Sequence, residues 1–358
     1  MALIFMDGFD GYDDDADVAN KWDHARTAEI ELQSGGGAFG GDALRIHGTY
    51  GYSTPPLAKY INYRNGLGND LFVTFWAKFN DTSGGVFMMG FGSSHSGQQR
   101  DNGRVAWNAD KVTLYQNTGP AKATSVASIS NGAWVHVSIR MRAGAGGVAE
   151  FEVYHDDVLM VDDTTNAYIY LLMGDTGMIH FGGTGTASTG GYWDIDDLVI
   201  YDDTGSTMNS HIGLHKIHTL RPTANGSVAN NSTLNGGGSS NYEAVDDDPG
   251  ADTATYLTTS TVGHIDTFEF DAMPEEPSEI FAVQSNIVMY EDATGTTPRT
   301  FAHKTVLSAT EYDSDDQHTL PLDTYKARTA SWEVNPDTAA EWTKSEIDAA
   351  EFGFEIKQ

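Results

Sequence analysis

The residues best suited to chemistry in this sequence are its aspartates, and they gather in two stretches: MDGFDGYDDDADVANKWDH (6–24) and DIDDLVIYDD (194–203). Carboxylates held close together can share a proton for acid–base work. They can also surround a hard cation with oxygen. In a strand, Asp194 and Asp196 face one way and Asp197 the other. A catalytic pair needs a second carboxylate on a facing strand, and no glutamate-rich strand supplies one. There is no G-x-S-x-G elbow, H-E-x-x-H helix or phosphate loop. The chain is therefore expected not to be an enzyme, and no catalytic residue is assigned.

The first acidic stretch begins like a calcium loop. Asp13, Asp15 and Asp17 stand at the 1-3-5 spacing, but Val18 takes the turn-glycine position and His24 the closing-glutamate position. An EF-hand is not expected; a calcium site of another kind using some of these carboxylates stays open beside the simpler reading of a solvated acidic loop. GGGAFG (35–40) matches G-x-G-x-x-G, yet DALRIHG follows it as a strand where nucleotide binding needs a helix. It reads as a glycine-rich β-turn. His211, His215 and His218 would share a helix face fit for zinc, but Gly213 and the following TLRP make the segment extended and divide them. Tyr50, Tyr52, Tyr60, Tyr63, Trp107, Tyr115 and Tyr192 are candidate sugar platforms. For any one ring, a place in the core is the commoner fate.

These groups sit on strands. WVHVSIRMR (134–142) places Trp134, His136, Ser138 and Arg140 on one face and Val135, Val137, Ile139 and Met141 on the other. Similar short strands recur from LIFMDGF to YWDIDDLVIYD (192–202), separated by Gly, Asn and Asp turns. About ten of them predict an antiparallel sandwich. The alternation of Ile195, Asp197, Val199 and Tyr201 against Asp196, Leu198 and Ile200 makes 192–202 its closing strand. Composition turns small and polar after that, so a first domain is set at 1–207, a connecting segment at 208–222 with GLHKIHTLRP as a strand, and a second, smaller β-sandwich at 223–358. TKSE (343–346) is a capping box before a short helix.

Composition limits the partners. With 51 acidic residues against 20 basic, the formal charge is −31. Such a surface repels phosphate, so no nucleic acid is expected. No cysteine is present, which excludes disulfides, thiolate zinc, iron–sulfur clusters and a thiol nucleophile. No apolar run approaches the ~18 residues of a membrane span, so no membrane insertion is expected. The opening MALIFMDGFDG lacks a basic region and reads as a first strand, not a signal peptide.

LFVTFWAKF, GRVAWNADKVTLYQ, GAWVHVSIRMR, FEVYHDDVLMVDD and YWDIDDLVIYDD follow one another in an order that resembles concanavalin A-like, laminin G-like domains. The points of likeness are Trp134, His136 and Val137, the hairpin Asp156–Leu159, and the closing strand. The resemblance implies an all-β protein whose first domain is a concanavalin A-like antiparallel β-sandwich, or jelly roll. The run from DLVIYDDTGS through NYEAVDDDPGADTATYL to WEVNPDTAAEWTKSEIDAAEFGFEI resembles tailed-bacteriophage virion proteins in which such a domain is joined to a second sandwich.

The resemblance implies a structural part of the particle, at the tail or on the capsid exterior, serving assembly and surface adhesion. Its partners would be other virion proteins, copies of itself (threefold fibres being the commonest arrangement) and a host-surface glycan. A carbohydrate-binding receptor module is the alternative. No organic cofactor is implied. Some laminin G-like domains hold calcium at a loop rim. The nearest candidates here are Asp7 and Asp10 by the first strand and Asp196 and Asp197 on the last, because first and last strands are often neighbours. Such crowding is costly without a cation or solvent.

Overall fold

A computed structural model describes residues 3–47, 55–61, 70–80, 86–95, 98–108, 111–115, 121–143, 149–164, 176–184, 191–229, 232–247, 254–274, 277–292, 299–319 and 322–358. The chain divides into two compact units. One holds the residues up to Asp10 and Asp14–Ile217, and the other holds Gly11–Asp13 and His218–Gln358. Residues 208–217, expected in a connecting segment, thus belong to the first unit. GLHKIHTLRP is not a strand up to Arg221.

The first unit is a two-sheet antiparallel sandwich. Its strands are β1 (Leu3–Asp7), β2 (His24–Ala25), β3 (Ile30–Gln33), β4 (Ala43–His47), β5 (Leu57–Ile61), β6 (Asp70–Phe79), β7 (Val86–His95) and β8 (Gln98–Asn108). They continue with β9 (Lys111–Tyr115), β10 (Ala121–Thr124), β11 (Trp134–Ala143), β12 (Ala149–His155), β13 (Val158–Asp163), β14 (Thr176–Thr184) and β15 (Tyr192–Asp202). One sheet runs β13-β12-β11-β6-β15-β4-β3, with β1 also on β15. The other runs β10-β9-β8-β7-β14-β5-β2.

The period-2 pattern places the core between them. Val137, Ile139 and Met141 of β11 are buried there, as are Phe75 and Phe79 of β6, Trp107 of β8 and Phe181 of β14. Trp193 packs against Phe75, Phe79, Trp107 and Phe181 at ring-centroid distances of 6.1, 5.9, 5.7 and 5.9 Å. β15 is an interior strand of its sheet, between β6 and β4, and is buried along nearly its whole length.

One stretch departs from expectation. Residues read as an acidic loop form a helix, α1 (Asp15–Lys21). Asp14 caps it by accepting from the backbone N–H of Ala16 and Asp17. Asp15 and Asp17 lie in its first turn and Lys21 in its last, as the helix dipole favours. The aspartates serve the helix start.

The second unit contains β16 (Pro222–Ala229), β17 (Thr233–Asn235), β18 (Tyr256–Thr258), β19 (Ile265–Phe270), β20 (Val283–Met289), β21 (Thr300–Leu307), β22 (Thr310–Thr319), β23 (Lys326–Trp332) and β24 (Glu351–Ile356). A sheet β16-β19-β24-β21-β22 is accompanied by ladders β17-β18 and β20-β23. Leu307, Trp332, Trp342 and Phe352 share a core cluster with Val283, so the β20-β23 ladder packs on the larger sheet. The capping box forms: Thr343 accepts from the Glu346 N–H, and Glu346 accepts from the Thr343 N–H, ahead of helix α2 (Lys344–Ala349). The all-β, two-sandwich reading holds.

Trp193→Ala should cost about 3–5 kcal/mol, because it empties the centre of the aromatic stack. A urea-unfolding shift below about 1 kcal/mol would show that the stack is not the core's keystone.

Candidate functional site

Two surfaces of the first unit concentrate chemistry. The first is a seam on β15. One edge of this strand pairs with β4 over Tyr192–Ile195 and then with β1 over Leu198–Tyr201. Asp196 and Asp197 fall at the handover. Across the strand, the register with β6 slips between Asp196 and Val199, and Asp197 adopts φ 47°. This is a β-bulge. It breaks the expected alternation: Val199 and Tyr201 face the same side as Asp196, opposite Thr74 and Phe72.

The glycine-rich turn between β3 and β4 closes over this seam. Ala38 N–H donates to Asp196 Oδ2 at 2.8 Å, and Asp42 N–H donates to Asp10 Oδ1 at 2.6 Å. A Cβ at Gly37 would lie 2.7 Å from Asp196 Oδ2, 2.8 Å from the Gly41 carbonyl and 2.9 Å from the Asp42 carbonyl. Oxygens therefore converge where only glycine fits. Asp197 accepts from Ile217 N–H at 2.9 Å. Burial pushes the Asp196 carboxyl up to about 7, with the Asp10 and Asp7 charges adding to it. Burial and then the Asp196 charge push Asp197 up to about 8.

Of the four candidate calcium ligands, the seam gathers Asp10, Asp196 and Asp197. Asp7 stands apart: it lies opposite Leu198, a core residue, and is engaged by Lys21 at 3.3 Å, Trp22 Nε1 at 2.8 Å and Phe9 N–H at 3.2 Å. Among the described residues, no three His, Asp or Glu side chains stand in a metal-holding arrangement. The oxygen-only donors nevertheless match a hard cation, with the Gly41 and Asp42 carbonyls completing what the carboxylates begin.

Beside the seam, residues 211–217 dock on the outward face of the same sheet. His215 Nε2 donates to the Asp197 carbonyl at 2.7 Å, and its Nδ1 meets His136 Nε2 at 3.0 Å. Trp76 Nε1 donates to the His215 carbonyl. Burial drives His136 down to about 3, with His215 and His211 adding to it, and it lowers His215 as well. Ser138 Oγ meets His211 Nδ1 at 2.7 Å, and His211 Nε2 meets Asp157 at 2.9 Å. This imitates a nucleophilic triad, but Ser138 is 1% exposed and no carbonyl could reach it. The histidines pin a segment; they do not share a metal face. His218 falls in the other unit.

The second surface is the outward face of the seven-stranded sheet. Directly paired residues cross it in one row: Tyr115 on β9, Arg104 on β8, Gly90 on β7, His180 on β14, Ala58 on β5 and His24 on β2. A Cβ at Gly90 would collide with His180 Nε2, so the imidazole lies across the bare glycine backbone. The Arg104 guanidinium lies 4.8 Å from the Tyr115 ring centroid. Met88, Ala106, Met178 and His180 on this face are 2% exposed or less, and Tyr115 packs against Met88 and Ala106; Arg104 and Tyr115 are half-buried. Tyr60, on the same face, is 39% exposed.

Sequence reasoning placed Tyr60 and Tyr115 on its list but missed Arg104, Gly90 and His180. A lone histidine in MIHFGG carries no local signal; only the register beside a glycine does. Trp107 is core and donates to His155 at 3.0 Å. Tyr192 lies under Arg45, 3.9 Å from its ring centroid. Asp194 is paired with Arg45 at 2.7 and 3.2 Å and accepts from Asn80. Tyr50, Tyr52 and Tyr63 lie outside the described residues.

The raised Asp196 and Asp197 values fix a sign. A carboxyl whose folded value exceeds its unfolded value of about 4 stabilises below that value and loses the contribution as pH rises through the folded one. Asp197→Asn should therefore raise the melting temperature in chelator at pH 9 and leave it nearly unchanged at pH 4. An equal shift at both pH values would contradict this.

No protein-family model and no curated protein matches the sequence. Solved structures of similar shape include an endo-β-1,4-glucuronan lyase from the fungus Trichoderma reesei, at 14% identity and TM-score 0.39, over 51% of this chain and 92% of that one. An alginate lyase in complex with alginate trisaccharide shares 16% identity at TM-score 0.38, over 56% and 98%. A carbohydrate esterase from the Shiga toxin-encoding bacteriophage phi24B shares 14% at TM-score 0.33, over 50% and 88%. An endo-β-1,3(4)-glucanase shares 13% at TM-score 0.38, over 56% and 90%. The expectation that the chain is not an enzyme is withdrawn on this finding, since the proteins it is similar to include lyases and a glucanase.

Proposed function

We propose that this chain is a glycan-recognising component of a tailed-phage virion and that the outward face of the seven-stranded sheet is its binding surface. The observation that carries this reading is the row Tyr115–Arg104–Gly90–His180, where aromatic, cationic and imidazole groups stand on adjacent strands above a floor of small residues. A sugar ring presents an apolar face and a rim of hydroxyls. Tyr60 and Tyr115 suit the first and Arg104 suits the second, with the buried His180 beneath them. A rigid sheet holds such groups in register better than loops do. The resemblance of the sequence to virion proteins supports the setting, with other virion proteins and copies of this chain as partners.

A glycan array probed with the full chain should give hits that Gly90→Val weakens by about tenfold or more, since the new side chain displaces His180. An array without hits would remove the reading. Immunogold labelling should find the chain on purified particles; its absence there would remove the virion setting alone.

We also propose that calcium fits the seam at Asp10, Asp196 and Asp197. The ion would offset the repulsion between buried carboxylates and tie the first strand's exit to the last strand. Calcium titrated calorimetrically into chelator-treated protein should give heat and raise the melting temperature, and Asp196→Asn with Asp197→Asn should abolish both. No heat and no melting shift in the unsubstituted chain would sink the proposal.

A further inference from the structure

The second unit presents a face that carries no charge. Its ladder β20-β23 lays one side on the larger sheet. Val283, Ile287 and Met289 pack on the core clusters there, and Ser285 Oγ meets His303 Nδ1 of β21 at 3.0 Å. Alternation turns the other side outward. On it, Gln284 stands opposite Ser331, Asn286 opposite Thr329, and Val288 opposite Ala327. One step past the ladder, the rings of Tyr290 and Tyr325 meet with centroids 4.7 Å apart. The ladder's two charged residues, Lys326 and Arg328, pair with Met289 and Ile287, so the register assigns them to the inward side.

This face is open to solvent. Tyr290 is 41% exposed and Asn286 is exposed; Gln284, Val288, Tyr325, Thr329 and Ser331 are half-buried, and Ala327 is buried. Its groups are of two kinds. The tyrosines offer flat apolar rings with a polar tip. The amides and hydroxyls donate and accept without charge. Gln284 Nε2 donates to Asn286 Oδ1 at 2.9 Å, which holds the two amides side by side.

Acids mark both ends of the face and leave its length clear. Glu333 follows the ladder at one end, and Asp292 and Asp323 lie beyond the tyrosines at the other. An anionic ligand lying along the face meets these carboxylates and a chain of formal charge −31. A neutral ligand meets rings and groups that exchange hydrogen bonds with it. Size also selects the occupant. Strands of seven residues, at about 3.4 Å per residue and about 4.8 Å apart, give a face of roughly 200–300 Å². A stable protein partner covers about 800 Å². The face is long, narrow and flat, which suits a short linear chain of sugars.

We infer that the outward face of the β20-β23 ladder is a second glycan site, that its ligand is a neutral oligosaccharide, and that Tyr290 is the ring on which a sugar stacks. The apolar side of the sugar lies on Tyr290, and its hydroxyls exchange hydrogen bonds with Asn286 and Thr329. The site belongs to the second unit and does not depend on the proposed role of the seven-stranded sheet.

The test is calorimetric titration of the full chain, unsubstituted and as Tyr290→Ala, with neutral tetrasaccharides of glucose, mannose and galactose and with a uronic-acid tetrasaccharide. At least one neutral tetrasaccharide should bind, with little change between about 50 and about 200 mM salt. Tyr290→Ala should weaken that binding about tenfold or more, and Tyr290→Phe should keep most of it, because the ring rather than the hydroxyl carries the stacking. Asn286→Ala should weaken it about threefold. The uronic-acid chain should show no component that Tyr290→Ala removes. Circular dichroism melts establish that each variant folds. Only the part of the binding that Tyr290→Ala removes reports this face, so the result is separate from anything bound on the first unit. No neutral tetrasaccharide bound, binding unchanged by Tyr290→Ala, or a Tyr290-dependent preference for the uronic acid overturns the inference. So does sedimentation in which Tyr290→Ala breaks an oligomer, since the face then covers another copy of the chain.

Discussion

One strand has to satisfy two partners along one edge, and most of the first unit follows from that. β15 pairs with β4 over its first half and β1 over its second. A ladder cannot change partners without a gap, so two residues at the handover lack a regular neighbour. The bulge at Asp197 absorbs the mismatch. The gap also leaves room for the glycine turn between β3 and β4 to lay its backbone N–H and C=O groups on the seam. Carboxylates are well matched to such a place, because they accept from stray backbone donors, as Asp196 does from Ala38 and Asp197 from Ile217. What results is a tight seal against turn and segment, and a negative charge that burial makes costly.

The two outward faces solve the problem of a thin sandwich differently. The eight-stranded sheet is covered over its centre by 211–217, so His136 and Ser138 are as buried as the core even though the strand's alternation points them outward. The seven-stranded sheet instead carries small residues and lets one ring, His180, lie over a glycine. Met88, Ala106, Met178 and His180 on that face are nonetheless 2% exposed or less.

The architecture was largely legible in the sequence, because alternation in segments such as 134–142 reports directly which side meets the core. So was the closing role of 192–202 and the nearness of first and last strands. The bulge was not, since a single positive φ at an aspartate leaves no mark on a pattern of types. The helix at Asp15–Lys21 was missed because three adjacent aspartates suggested ion binding, whereas Asp14 was an N-cap with acids in the first turn. The extra reach of the first unit to Ile217 was hidden because histidines pin that segment, and polar composition resembles a linker. Row partners such as Gly90 and His180 lie far apart in sequence and meet only through register.

The docked segment also changes how the first unit carries load. β1 and β15 are antiparallel, and Leu3 sits opposite Tyr201, so the two strands have their outer ends side by side. Tension between Leu3 and Tyr201 would peel the ladder apart one bond at a time. The chain does not leave there, however. It runs back along the sheet until Ile217 is held by Asp197 and packs against Gly8, at the far end of the same strand pair. Force entering at Leu3 and leaving at Ile217 therefore pulls on opposite ends of the seam. Its hydrogen bonds are strained together in shear, and the unit resists as a block where it would otherwise unzip.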